Sequence, residues 1–157
     1  MNPTMEPPFI PAWPGYAPLR YWVSPEMQQF RPEILIALLT FTREPVWLRL
    51  EEIQAPGQHR SIDFRLAPLV GLLGLGMYPP DLNAEPASGD VTLNSLVDWR
   101  NPRCREMVLA VLIHELFHAL GFGHFYDPSS RRFPNIAATG VNLSAEDRAA
   151  LLTMYGR

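Results

Sequence analysis

The strongest constraint on the fold is a long segment without a helix breaker, which ends at Gly121. Asn101 is a good N-cap, and Pro102 suits the first helical position because no amide donor is needed there. The pattern predicts a single helix of about 19 residues, roughly 28 Å long at about 1.5 Å per residue. We expect the other elements to pack around it.

The rest of the chain is expected to mix helices and strands. Apolar residues at helical spacing predict a helix from Pro32 to Thr42, ended by Pro45, and a capping box of Ser144 and Asp147 begins a last helix. Five strands are predicted: Leu19–Val23, Val46–Ile53, Ser61–Leu66, Gly71–Tyr78 and Val91–Leu96. This order predicts an α/β (α+β) fold with a mixed, twisted sheet of about five strands, two long helices and a short C-terminal helix.

The chain divides into an arm and one domain. Residues 1–18 hold six of the 17 prolines, which predicts an extended arm because proline fixes φ and lacks an amide donor. Residues 19–157 form the predicted catalytic domain, of a size that one core can organise. The fraction of apolar residues, 47%, is enough to build such a core.

Charge and hydropathy exclude several classes of partner. The net charge of −3 leaves no basic surplus for phosphates, so we expect no nucleic-acid partner. No run reaches the roughly 18 apolar residues of a membrane span, and prolines stand where a signal peptide needs a charged and then an apolar region. We therefore expect a protein that binds no membrane, with no signal peptide visible in this chain. We also expect it to be a monomer.

The chemistry lies in the sequence HELFHALGFGH. Residues four apart share a helix face, so His114 and His118 can present two imidazoles to one zinc ion. Glu115 is rotated by about 100° and suits a base beside the metal. Gly121 can take the left-handed conformation that ends a helix, which lets His124 approach as a third ligand. An open fourth zinc position is predicted.

Such a site predicts hydrolysis. Zinc lowers the pKa of a bound water to about 7, and Glu115 can take its proton and later pass it to the leaving amine. Peptide hydrolysis is the expected reaction. A zinc amidase acting on non-protein amides would use the same chemistry and differ only in its cleft.

The sequence resembles the metzincin metalloproteases, whose HExxHxxGxxH motif it carries in full, and among them the matrixins. Asn101–Gly123 resembles the matrixin active-site helix, Leu143–Gly156 resembles the C-terminal helix, and the order of elements agrees from Leu19 to Arg157. The resemblance implies an extracellular zinc metalloendopeptidase that acts on peptide or protein substrates. It also implies that Gly71–Tyr78 is the edge strand above the cleft, where a substrate pairs its backbone.

One departure from the family supports a second interpretation. Metzincins place a methionine beneath the zinc, but Pro134–Gly140 has Ala137 at the expected position, and Met154 is expected to be a core residue of the last helix. The alternative is a zinc-binding pseudoprotease or interaction module without turnover.

The resemblance also raises the question of structural ions. Gly89–Asn94 matches the matrixin GDxHFD segment with Thr92 in place of histidine, and His59 is the only other histidine, so we expect one catalytic Zn²⁺ and no second zinc. Asp90 is a candidate Ca²⁺ ligand, although a solvated or capping loop aspartate is the alternative.

Two features of the sequence bear on whether the site is inhibited by the chain itself. Cys104 lies in a Pro-Arg-Cys sequence that resembles the matrixin cysteine switch, but it precedes His114 by about 15 Å of helix and is not expected to reach the zinc. An inhibitory role for the arm would depend on Glu6, its only acidic residue.

Apolar residues around the glycine turn have two interpretations. They line a hydrophobic specificity pocket below the zinc, or they belong to the core. The first predicts apolar or bulky side chains just after the cleaved bond. The residues concerned are Phe122, Phe125, Phe133 and Ile136.

Overall fold

The computed structural model describes residues 4–5, 13, 18–79, 88–122, 125–126 and 143–157. Its strands, in chain order, are β1 (Thr4–Met5), β2 (Leu19–Val23), β3 (Leu50–Glu52), β4 (Ser61–Ala67), β5 (Gly74–Met77), β6 (Ser88–Asn94) and β7 (Phe125–Tyr126). Its helices are α1 (Arg31–Thr42), α2 (Pro102–Arg105), α3 (Val108–Ala119) and α4 (Ala145–Tyr155), and a 3-10 helix, Pro25–Phe30, precedes α1.

One five-stranded sheet organises the fold, in the order β3-β2-β4-β6-β5. The first four of these strands are mutually parallel, and β5 runs antiparallel to β6, with Gly74 opposite Leu93 and Met77 opposite Asp90. Strands β1 and β7 form a separate antiparallel pair. The predicted α/β fold with a mixed sheet of about five strands is confirmed.

Helix α3 lies at the centre of the packing. It packs against α1 and against β5 and β6. Leu112, Ile113 and Phe117 are fully buried, and Phe117 stacks on Phe41 of α1 with ring centroids 6.1 Å apart. This apolar contact fixes α3 against α1. No helix among the described residues is long and apolar enough to cross a membrane.

The predicted helix of about 19 residues is wrong in one respect, because a turn at residues 106–107 divides it into α2 and α3. The turn directly follows Arg105. The guanidinium of Arg105 bonds the Glu33 carboxylate at 2.9 Å and lies 4.7 Å from the Phe30 ring. These contacts with distant residues draw the first helical turn toward α1.

The predicted strand Val46–Ile53 is too long, since only Leu50–Glu52 joins the sheet. The backbone before it pairs with the last residues of the chain instead. Trp47 donates its N–H to the Tyr155 carbonyl at 3.1 Å, and the N–H of Arg157 donates to the Pro45 carbonyl at 2.9 Å. The alternating pattern could not distinguish these partners from a strand.

The ends of three other strands also differ from the prediction, that of β4 by the single residue Ala67. Strand β5 spans 74–77 rather than 71–78, and β6 spans 88–94 rather than 91–96. The side chain of Asn94 ends β6: its oxygen accepts from Leu69 and Leu96, and its NH₂ group donates to the carbonyls of Leu69 and Leu72. These bonds satisfy the loop backbone around the strand end.

The helix caps predicted from the sequence make the expected hydrogen bonds. The side chain of Asn101 accepts from the Arg103 N–H at 3.0 Å, as expected of an N-cap. Ser144 accepts from the N–H of Asp147 at 3.0 Å, and the Asp147 carboxylate accepts from the N–H of Ser144 at 3.2 Å. Both halves of the predicted capping box are therefore present.

The predicted arm, residues 1–18, is described only at residues 4–5, 13 and 18. Trp13 is 1% exposed and belongs to the core, a contact that a plain extended arm does not require. The boundary at residue 18 stays a prediction.

We expect Ser144→Ala to lower the free energy of unfolding by about 1 kcal/mol, because the N–H of Asp147 loses its acceptor at the start of α4. Urea unfolding followed by circular dichroism measures the change. Thr153→Ala, at an exposed position of the same helix, is the control and should stay within about 0.5 kcal/mol of the wild type. If both variants lose the same free energy of unfolding, Ser144 does not stabilise α4 as its N-cap.

Candidate metal centre

Helix α3 brings His114 and His118 together. Their Nε2 atoms are 3.1 Å apart, and their rings meet edge to face with centroids 4.7 Å apart. Two nitrogens bound to one tetrahedral zinc at about 2.0–2.1 Å lie about 3.3–3.4 Å from each other. The two imidazoles therefore fit as neighbouring ligands of one metal ion.

A backbone carbonyl orients the second imidazole. His118 Nδ1 lies 2.7 Å from the carbonyl oxygen of Phe122. Because a carbonyl only accepts, Nδ1 carries the hydrogen and Nε2 keeps its lone pair on the side of His114. Such an outer partner is typical of metal-binding histidines.

The glycine turn after α3 has the predicted form. Gly121 has φ of 105°, in the left-handed region. The N–H of Phe122 donates to the Phe117 carbonyl at 3.2 Å, and the N–H of Gly121 donates to the His118 carbonyl at 2.9 Å, which is the Schellman pattern of a helix end. His124 lies outside the described residues, so its place as a third ligand stays a prediction.

Glu115 stands beside the histidines. Ligand atoms of His114, Glu115 and His118 all lie within 4.8 Å of one another, the one group of three such residues found in the described part of the chain. Burial raises the pKa of the Glu115 carboxyl to about 7, although a hydrogen bond from the Gly76 N–H opposes the rise. A carboxyl with this pKa can take up and return a proton near neutral pH, and a bound dication would lower the pKa.

Two glycines let β5 lie directly on α3. A Cβ atom at Gly76 would lie 2.0 Å from the carbonyl oxygen of Glu115, and one at Gly74 would lie 2.7 Å from Val111 Cγ1. The glycines were predicted only as part of the strand Gly71–Tyr78, and this contact with α3 was not predicted. Their spacing of two, which puts both on one face of a strand, was the available signal.

Asp90 has a different setting from the one expected. It lies in β6, so the expected loop placement is wrong, although its side chain is 40% exposed, as expected of a solvated aspartate. Its carboxylate pairs with Arg65 at 3.1 Å, and Arg65 also pairs with Asp63 at 2.8 Å on the neighbouring strand. The guanidinium balances the charge of both carboxylates, and calcium binding at Asp90 stays a prediction.

The other predicted residues fall into two groups. Cys104 on α2 and Met154 on α4 are partly buried against the core, and Phe122 is 2% exposed and stacks on Phe117 with centroids 4.3 Å apart. The core interpretation therefore holds for Phe122. Phe125 lies in β7, while Ala137 with its segment, Phe133 and Ile136 lie outside the described residues.

Comparison with known protein families shows which family the chain is similar to. The family model described as matrixin, a peptidase family, matches residues 70–156. This range covers more than half of the chain and includes β5, Glu115 and the three histidines of the motif. No curated protein matches the chain significantly.

We expect Gly76→Ala to lower the free energy of unfolding by about 1–3 kcal/mol, because the new methyl group meets backbone atoms of α3 that cannot give way. Chemical denaturation measures the loss. Met77→Ala, at a half-exposed position of the same strand, is the matched control and should cost less. A Gly76→Ala variant as stable as the wild type would refute the close approach of β5 to α3.

Proposed function

This chain belongs to the matrixin family, and we propose that it is a zinc-dependent metalloendopeptidase that hydrolyses peptide or protein substrates outside the cell. The observation that carries the proposal is the pair of imidazole nitrogens 3.1 Å apart with the Glu115 carboxyl beside them. An extracellular place of action is typical of the family and is part of the proposal.

His114 and His118 are the proposed ligands within the described residues, with His124 as the third. Zn²⁺ bound there would supply a Lewis acid that polarises the substrate carbonyl and activates water. The Phe122 carbonyl holds the His118 ring in the tautomer that this role needs. The turn at Gly121 and Phe122 ends the helix and changes the direction of the chain before His124, as a third ligand requires.

Glu115 is the proposed general base and acid. It takes a proton from the attacking water and then gives that proton to the leaving amine, so one residue serves both halves of the reaction. Its place beside the two imidazoles and its partial burial support this role. The hydrogen bond from the Gly76 N–H limits the orientations of the carboxylate.

Strand β5 is the proposed place where substrate binds. It ends the sheet order, so its outer edge has no partner strand among the described residues. An extended peptide can pair its backbone with such an edge. Because β5 also contacts Glu115 through Gly76, a peptide bound there lies beside the proposed base.

We expect Glu115→Gln to reduce cleavage of a quenched-fluorescent peptide library by about 10²–10⁴-fold, because the amide cannot accept the proton of the attacking water. The same variant should retain one bound zinc, measured by elemental analysis. The library also tests whether apolar residues are preferred just after the cleaved bond.

The matched control for this experiment is Glu106→Gln, which makes the same change at an exposed position between α2 and α3. It should cleave like the wild type. A zinc-loaded wild type that cleaves none of the peptides would favour the pseudoprotease alternative. Cleavage by Glu115→Gln at the wild-type rate would exclude Glu115 as the base.

We expect a chelator to abolish cleavage and added Zn²⁺ to restore it, because the proposed reaction depends on the metal. His118→Ala should no longer bind one zinc per chain, because it removes one of the three proposed ligands. His59→Ala, which changes a histidine outside α3, should keep it. Equal zinc content in the two variants would contradict the assignment of His118.

A further inference from the structure

Trp13 belongs to the proline-rich segment and is buried. The proposed reaction gives this residue no role. Its indole Nε1–H donates to the carbonyl of Ala119 at 3.0 Å, and its backbone N–H donates to the Tyr155 hydroxyl at 3.1 Å. Its ring lies 5.6 Å from the ring of Tyr78, which follows β5. Through its side chain and its backbone, Trp13 thus contacts the end of α3, the helix α4 and the residue that follows β5.

The contact with Ala119 completes the C-terminal end of α3. The final carbonyls of a helix lack partners within the helix. Three of those near the end of α3 accept from backbone N–H groups of the turn: Leu116, Phe117 and His118 accept from Leu120, Phe122 and Gly121. The next two accept from side chains, Ala119 from Trp13 and Leu120 from the hydroxyl of Tyr155.

This helix end also sets the position of a proposed ligand. Ala119 directly follows His118, and the Phe122 carbonyl that binds the His118 ring belongs to the same turn. The Phe122 ring packs edge to face on Tyr155 with centroids 6.0 Å apart. A shift of the turn would therefore move the oxygen that orients His118, and Trp13 and Tyr155 hold the turn from its other side.

A second contact of the same N-terminal segment lies beyond the turn. Strand β1 pairs with β7, with Thr4 opposite Tyr126 and Met5 opposite Phe125. Strand β7 begins one residue after His124, the predicted third ligand. The N-terminal segment is thus attached to the chain on both sides of the Gly121 turn.

We propose that Trp13 is a positioning residue of the metal centre. In this proposal the N-terminal residues Thr4–Met5 and Trp13 stabilise the chain around the Gly121 turn and do not inhibit the site. The proposal rests on the zinc site proposed above. Without the indole N–H, the buried Ala119 carbonyl loses its partner and the turn moves to recover one. The His118 ring then loses part of its orientation, so the site binds zinc more weakly.

The test is the zinc affinity of the full-length Trp13→Phe variant, measured by competition with a chromophoric chelator. Losing a hydrogen bond made directly to a ligand typically costs about 10–100-fold in metal affinity, and Trp13 acts on His118 only through the turn, so we expect the lower value, about 10-fold. The visible spectrum of the Co²⁺-loaded variant should also change, because it reports the arrangement of the ligands. Tyr155→Phe, which removes the other side-chain donor of the turn, should weaken zinc binding in the same direction.

The matched control is Trp99→Phe. Trp99 is 6% exposed, and its indole N–H donates to the Asn94 carbonyl at 2.8 Å, so this variant loses the same kind of bond at the end of β6. Its zinc affinity should stay within about twofold of the wild type, even if the two tryptophan variants lose equal thermal stability.

Three results would overturn the proposal. Equal zinc affinities for Trp13→Phe and Trp99→Phe would reduce Trp13 to a core residue and leave the proposed peptidase intact. Higher peptidase activity of Trp13→Phe at unchanged zinc content would identify the segment as inhibitory. A wild type that binds no zinc would refute the proposed function itself, and this inference with it.

Discussion

The close approach of β5 to α3 at Gly76 is the contact on which the rest of the site depends. Because no Cβ separates the two backbones, the Gly76 N–H reaches the Glu115 carboxylate. The same approach removes Glu115 from water, and this burial raises the pKa of its carboxyl. A single packing contact thus positions the edge strand, orients the proposed base and helps to remove that base from water.

The parts of the site that the sequence predicts are those that depend on local geometry. The spacing of His114 and His118 puts two imidazoles on one helix face whatever surrounds the helix. Gly121 ends the helix through its own backbone conformation, and the cap of Ser144 with Asp147 needs only four consecutive residues. Each of these features is fixed within one or two helical turns, so a pattern of residues is sufficient to predict it.

The features that escaped prediction depend on partners far along the chain. The turn between α2 and α3 follows the contact of Arg105 with Glu33, 72 positions earlier. Residues 45–47 form no strand of the sheet because the end of the chain takes their hydrogen bonds. The role of Gly76 could not be predicted because it depends on the contact between β5 and α3. A pattern of glycines does not show which element packs against them.

The bond between Trp13 and Tyr155 has a consequence for the order of folding. It joins residues 142 positions apart, so it closes a loop that contains almost the whole domain. Contacts of such long range form late, because the entropy of closing the loop must be offset by contacts already made. The histidine helix can form early from its own residues, but its C-terminal end acquires its last hydrogen-bond donors only when both ends of the chain have docked. Completion of the proposed metal centre is therefore tied to completion of the fold, and a partly folded chain carries its histidines without the surroundings that orient them.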